Sequence, residues 1–174
     1  MVTTRAARRE DADALGEVHV QTWRSAYAGL LPQALLDALS AESSATRWTD
    51  LLPCSSPFFC TVAVDPSDRP LGFAYAGPWR GDADDSTAEL YSLYVRPDHQ
   101  GAGAGAVLLE RTRDHLRAAG YTHAHAWVLT TNARARTFYE HRGWATDGHT
   151  RVETRDDVDL HETRLTCHLA PPQA

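Results

Sequence analysis

The chain contains no lysine: all 17 of its basic residues are arginine, so it has no lysine of its own to modify. Cysteine is scarce as well. Cys54, Cys60 and Cys167 are odd in number and widely spaced, which argues against a disulfide framework and for buried free thiols in a reducing cytoplasm. No apolar run approaches the roughly 18 residues that a bilayer-spanning helix needs. The opening "MVTTRAARREDADAL" has basic residues but lacks the apolar stretch of a signal peptide. Positive charge is in deficit. A formal net charge of -6 argues against nonspecific nucleic-acid binding, which requires a basic face. Repeats, low-complexity tracts and linkers are also missing. What is there, 174 residues of which 43% are hydrophobic and 23% charged, fits one globular domain with a sizeable core.

Hydrophobic spacing and turn signals divide the chain. Residues 2–7 read as a short strand, and 10–30 as a helix whose acidic N-terminal end suits the helix dipole. Pro32 opens a short second helix over 32–40, and 41–52 adds a further turn or two. Strands at 58–64 and 70–77 flank "DPSDR", a hairpin turn signal. An acidic loop, 80–86, leads into 87–95, a strand long enough to be central. A helix over 104–120 ends at a C-cap glycine, Gly120. A strand at 123–130 precedes a helix from Asn132 to Gly143, and two strands fill 144–169. The expected order is β-α-α-β-β-β-α-β-α-β-β: an α/β (α+β) fold, a mixed sheet with helices on both faces.

Between the central strand and the next helix lies "HQGAGAGAVLLER", with glycine at three alternate positions. Residues Gly101 to Ala106 satisfy G-x-G-x-x-A, the dinucleotide-binding spacing. That motif follows its strand directly and needs an acidic residue about 20 positions on. Here "RPDHQ" intervenes and position 125 is histidine. A P-loop is excluded because no Gly-Lys-Ser/Thr follows. A purely structural glycine turn remains open. So does an anion cradle, since successive amides at a helix N-terminus attract negative charge and small residues let a diphosphate approach.

Gln100 to Gly105 also fits Q/R-x-x-G-x-G/A, which resembles the acetyl-CoA loop of the GNAT superfamily of N-acetyltransferases. Two neighbours extend the resemblance over about 60 residues. Upstream, "AELYSLYV" ends five residues before Gln100, the family's spacing for its fourth strand. Downstream, "NARARTFYEHRGW" matches N-x-x-A-x-x-F-Y-x-x-x-G-F/W. The resemblance implies a GNAT fold: a mostly antiparallel sheet of about seven strands, splayed between the fourth and fifth. It implies that the pantetheine arm of acetyl-CoA pairs with Leu93, Tyr94 and Val95 like an added strand. The diphosphate would lie on Gln100, Gly101, Ala102, Gly103, Ala104, Gly105 and Ala106. Asn132, Ala135, Phe138 and Tyr139 would line the arm, with Asn132 contacting it and Tyr139 reaching the thioester sulfur. Read singly, Asn132 is also a plain helix N-cap, and Phe138 and Tyr139 an amphipathic core face.

The chemistry asks for two proton-handling groups. An amine of pKa near ~10.4 must lose a proton before it attacks, and a thiolate of parent pKa near ~8.5 leaves more easily if protonated. Tyr139 is the candidate acid. Glu89, six residues before Val95, matches the glutamate base of some family branches. Strand alternation puts Glu89, Tyr91, Leu93 and Val95 on one face. A carboxylate holding water or substrate is the plainer role for Glu89. Main-chain amides near Leu93 to Val95 would stabilise the oxyanion. No cysteine sits in a nucleophile motif, so direct attack in a ternary complex is expected.

The acceptor leaves fewer marks. His19, Trp23 and Tyr27 form an i, i+4, i+8 stripe on the first helix, and "VHVQTWRSAYAGLLP" resembles a phrase common in bacterial members, where this helix lines the acceptor cleft. Core packing explains the stripe equally well. Asp82, Asp84 and Asp85 could attract a cationic amine or form a solvated loop. His123 and His125 share a strand face without a third ligand, so no metal is assigned. The family implies a cytoplasmic enzyme with a small-molecule amine as acceptor (an antibiotic, polyamine or amino acid), no nucleic-acid or membrane partner, and room for a homodimer. A peptide or protein N-terminus is the alternative acceptor. A non-catalytic acyl-CoA-binding module is the alternative class, one that needs neither Glu89 nor Tyr139.

Overall fold

The computed structural model describes residues 2–82 and 85–169. In chain order the elements are β1 (Thr3–Ala6), α1 (Ala12–Ala26), α2 (Gln33–Asp37), α3 (Ala41–Leu51), β2 (Phe59–Val64), β3 (Pro70–Pro78), β4 (Thr87–Val95), α4 (Ala104–Ala118), β5 (His123–Leu129), α5 (Ala133–Glu140), β6 (Ala145–Arg155) and β7 (Val158–His168). The seven strands form one sheet in the order β1-β2-β3-β4-β5-β7-β6. It is antiparallel except where β4 runs beside β5. The β2–β3 hairpin turns where expected, with Asp65 Oδ1 accepting from the N–H groups of Ser67 and Arg69.

Alternation along the strands feeds two cores. Val62 and Phe73 pack under Leu15, Val18 and Trp48 of α1 and α3, while Ala74 and Ala76 meet Leu108, Leu109 and Leu116 of α4 on the other face. Each such large side chain, once fully buried, contributes about 1.5–3 kcal/mol. The α1–α3 contact depends on Gly16, where a Cβ would lie 2.5 Å from Ala41 O and 2.8 Å from Ala45 N. Two sequence expectations are corrected on this side. The 41–52 segment is a full helix, capped by Ser40 Oγ and anchored by Ala45 and Trp48, so three helices precede β2. The first helix stops at Ala26, short of residue 30, because the Leu30 and Leu31 N–H groups both fold back onto Tyr27 C=O and Gly29 turns the chain at φ +75.

The feature that positions the site is the split between β4 and β5. They pair only from Thr87↔His123 to Leu90↔Ala126, after which both strands run on, to Val95 and Leu129, unpaired with each other. On its other edge β4 carries a bulge: Tyr75 pairs with Ser92 and Ala76 with Leu90, which leaves Tyr91 opposite nothing. The extra residue inverts the alternation. Glu89, Tyr91 and Tyr94 face the side of α1, whereas Leu93 and Val95 join Leu90 in the α4 core. The expectation that Glu89, Tyr91, Leu93 and Val95 share one face is thereby corrected.

Candidate active site

The split opens into a cleft of about 330 Å³ walled by the end of β4, the glycine loop and α5. Gly101 and Gly103 hold φ +83 and +90, left-handed values that cost an L side chain about 1–2 kcal/mol. The first internal bond of α4 runs from Val107 N–H to Gly103 C=O at 3.1 Å. The amides of Ala104, Gly105 and Ala106 therefore lack a helical acceptor and, with the helix dipole, form a donor cluster suited to an anion. Gln100, Gly101, Gly103, Gly105 and Ala106 line the cleft; Ala102 and Ala104 do not. The Ala104 side chain is buried in the core and Ala102 is exposed, so at most their main chain serves a ligand.

Along β4, Arg96 N–H donates to Leu71 C=O on β3 at 2.8 Å. Alternation then directs the main-chain groups of Tyr94 toward β3 and those of Leu93 and Val95 toward the split. Tyr94 accordingly lines the cleft through its side chain. The carbonyl of Val95 is already engaged, accepting from Thr22 Oγ1 at 3.1 Å and Gln100 Nε2 at 2.9 Å. That leaves the Val95 N–H and both main-chain groups of Leu93. On the facing wall, Asn132 Oδ1 caps α5 by accepting from Ala135 N–H at 3.0 Å, and its amide nitrogen is left over to donate. Ala135, Phe138 and Tyr139 lie on the same wall. Tyr139 is 7% exposed, and its hydroxyl has no hydrogen-bond partner among the described residues. Burial holds its pKa well above that of an ordinary phenol, so it carries its proton throughout the neutral range.

A second cavity, of about 160 Å³, adjoins the first. Tyr27, Tyr91, Tyr94 and Trp127 line both and form the wall between them. Glu89 belongs to this second cavity and Tyr139 to the first. The Glu89 carboxylate is 1% exposed, and a buried charge needs a partner. Arg80 supplies it with Nε at 3.1 Å and Nη2 at 2.5 Å. The Arg80 main-chain N–H also donates to Glu89 Oε2, at 3.4 Å. A carboxylate offers about four acceptor positions, so these three donors leave Glu89 able to accept one more. Tyr91 is fixed in turn by donating its hydroxyl to Pro78 C=O.

Of the α1 stripe, Trp23 lines the second cavity, Tyr27 lines both, and His19 lines neither. His19 stacks on Tyr94 with Nδ1 2.9 Å from Ser44 Oγ. Burial, with Arg47 and Arg155 nearby, pulls its pKa down to about 4, which leaves it neutral at pH 7. Trp23 is 6% exposed and its Nε1 donates to Tyr94 Oη at 2.9 Å, so core and cavity wall are one role here. Asp82 and Asp85 are exposed and line neither cavity; Asp84 lies outside the described residues. His123 packs on His168, His125 on Trp79, and no three-ligand metal cluster occurs among the described residues.

Sequence reasoning missed the charged lining of the second cavity, Arg80 with Arg151, Glu153, Arg155 and Glu162. The signal was present in "RVETR", whose charges alternate at the period of a strand.

Residues 18–144 match the Acetyltransferase (GNAT) family. The chain is 32% identical over 132 residues to the uncharacterized N-acetyltransferase YuaI of Bacillus subtilis (strain 168), covering 76% of this chain and 74% of YuaI. Its fold resembles that of the PaiA N-acetyltransferase of Thermoplasma acidophilum solved with coenzyme A, with TM-score 0.72 and 20% identity over 97% of this chain and 99% of that one. It also resembles YncA of Salmonella typhimurium solved with acetyl-CoA, with TM-score 0.73 and 22% identity over 100% of this chain and 97% of that one. A split sheet with a donor-lined loop at its mouth, matched across most of the chain, is explained by descent: the chain belongs to the GNAT family of acetyltransferases.

Proposed function

We propose that the protein transfers the acetyl group of acetyl-CoA to the primary amine of a small molecule by direct attack in a ternary complex. The observation that carries this reading is the placement of a buried, protonated phenol, Tyr139, in one cavity and a buried carboxylate, Glu89, in the next, with one shared wall. The cofactor would enter the first cavity, its diphosphate on the loop amides and its arm along Leu93 and Val95. The amine would enter the second. A C–N bond forms as the nitrogen attacks the thioester carbon, and the C–S bond breaks. The nitrogen's proton goes to Glu89, directly or through one water, and the departing sulfur takes one from Tyr139. The N–H groups of Leu93 and Val95 are the donors nearest the developing oxyanion. Buried free thiols at Cys60 and Cys167 support a reducing, cytoplasmic setting.

The direct test is release of free thiol from acetyl-CoA in the presence of a panel of amines and peptides. Glu89→Gln is expected to suppress the rate most at low pH, where free amine is scarce, and less as pH rises. A pH profile parallel to that of the wild type would reduce Glu89 to a structural carboxylate. For the cofactor, coenzyme A at 100 times its Kd should stabilise the fold by about 2.7 kcal/mol, read as a rise in Tm. Gly103→Asp should abolish that rise by putting a negative charge beside the diphosphate. Gly103→Ala carries the same backbone strain without the charge and should keep part of it. Equal shifts for wild type and Gly103→Asp would disprove the loop assignment.

A further inference from the structure

The second cavity has a charge pattern that bears on the acceptor. Its three arginines, Arg80, Arg151 and Arg155, face three glutamates, Glu89, Glu153 and Glu162. Every one of those carboxylates already has an arginine: Glu89 has Arg80, Glu162 has Arg151 at 2.7 Å, and Glu153 is shared by Arg151 at 3.0 Å and Arg155 at 3.4 Å. A polyamine or other polycation would add positive charge to a cavity with no unpaired carboxylate to receive it.

The arginines are less fully engaged. Each guanidinium lies over a ring that also lines the cavity: Arg80 over Tyr91 at 4.6 Å, Arg151 over Trp127 at 4.5 Å, Arg155 over Trp23 at 4.8 Å. Stacking fixes the planes and leaves their edges to donate. Arg80 commits Nε and Nη2 to Glu89, and Arg151 commits Nε and Nη2 to Glu162 and Glu153. Arg155 makes only the longer Nη2 contact to Glu153. Its Nε and Nη1 have no acceptor among the described residues and are not buried.

Building on the acetyl-transfer reading, we propose that the acceptor is a small amine that also carries a carboxylate, an amino-acid-like zwitterion. Its carboxylate is bound by Arg155, with the spare Nη1 of Arg151 alongside, and its nitrogen lies toward Glu89 at the wall shared with the cofactor cleft. A zwitterion brings no net charge into a neutral cavity and satisfies the donors that the protein leaves open. Size agrees: a cavity of about 160 Å³ has room for an amino acid.

The test uses the full chain with acetyl-CoA and thiol release, comparing α-amino acids with the amines formed by deleting their carboxylate, plus a polyamine. Charge-assisted hydrogen bonds predict that at least one amino acid exceeds its decarboxylated partner by about 10- to 100-fold in kcat/KM. Arg155→Gln should collapse that ratio toward one, and Arg155→Lys should restore part of it. Because the ratio is taken within one protein sample, loss of folded enzyme cancels. Turnover of decarboxylated amines or the polyamine at rates equal to or above those of amino acids would overturn the zwitterion and leave acetyl transfer standing. So would a preference that survives Arg155→Gln. Absence of thiol release with every amine would overturn acetyl transfer itself, and the zwitterion with it.

Discussion

Tyr139→Phe is expected to lower kcat by about 10²-fold or more, the usual scale for loss of a general acid, while coenzyme A still binds. The ring contacts that fix Tyr139, an edge to Trp144 at 5.4 Å and to Phe138 at 5.2 Å, survive in phenylalanine. The hydroxyl has no protein partner among the described residues, so its removal orphans no buried group and stability should barely change. The loss should appear equally in kcat and kcat/KM, the mark of an interaction made only in the transition state. Wild-type kcat in the variant would show that the thiolate leaves without help from this phenol, and the acid would have to be sought in water.

The largest stability effect is expected at Trp23. Its indole packs among Leu35, Leu36, Leu129 and Leu160, meets Tyr27 edge-on at 4.8 Å and donates to Tyr94 Oη. Trp23→Ala should cost about 3–5 kcal/mol, the range for a large aromatic deleted from a core. With urea slopes of about 1–3 kcal/mol/M, the denaturation midpoint should fall by more than about 1 M. Because the same ring supports Arg155 and lines the second cavity, the amine KM should rise in the surviving folded protein while the acetyl-CoA KM holds. Trp23→Phe keeps much of the volume but loses the N–H bond, so it should recover most of the stability. An unchanged midpoint in Trp23→Ala would contradict the burial.

How much of this was legible in advance depended on distance along the chain. The glycine loop, the strand ending at Val95 and the Asn132–Tyr139 helix are contiguous motifs, and all three wall one cleft in the structure. The failures arose where meaning depends on pairing. Nothing local in "AELYSLYV" marks Tyr91 as the bulged residue, since the bulge exists only in the register against β3. Period-2 counting therefore put Leu93 and Val95 on the wrong side of Glu89. Arg151 acquires its role from Glu162, its partner across the β6–β7 ladder. Arg80 acquires its own by reaching back to Glu89 from the loop after β3. The helix Ala41–Leu51 is muted in the sequence because Ser, Thr and Asp at five helical positions weaken intrinsic helicity, while Trp48 and the approach at Gly16 make the helix through packing.

The doubly occupied carbonyl of Val95 has a consequence for depth. Thr22 and Gln100 fill both of its acceptor positions, so the rung of β4 nearest the mouth is half closed to any extended chain entering the split. Such a chain finds a complete donor and acceptor pair only at Leu93. Sliding by one two-residue repeat, about 6.6–6.8 Å, would trade that pair for a carbonyl already taken. The split therefore works as a ruler with a single graduation. With the cofactor arm seated as proposed, it would fix how far an acyl group projects past the shared wall, and each carbon added to that group would intrude on the space left for the acceptor.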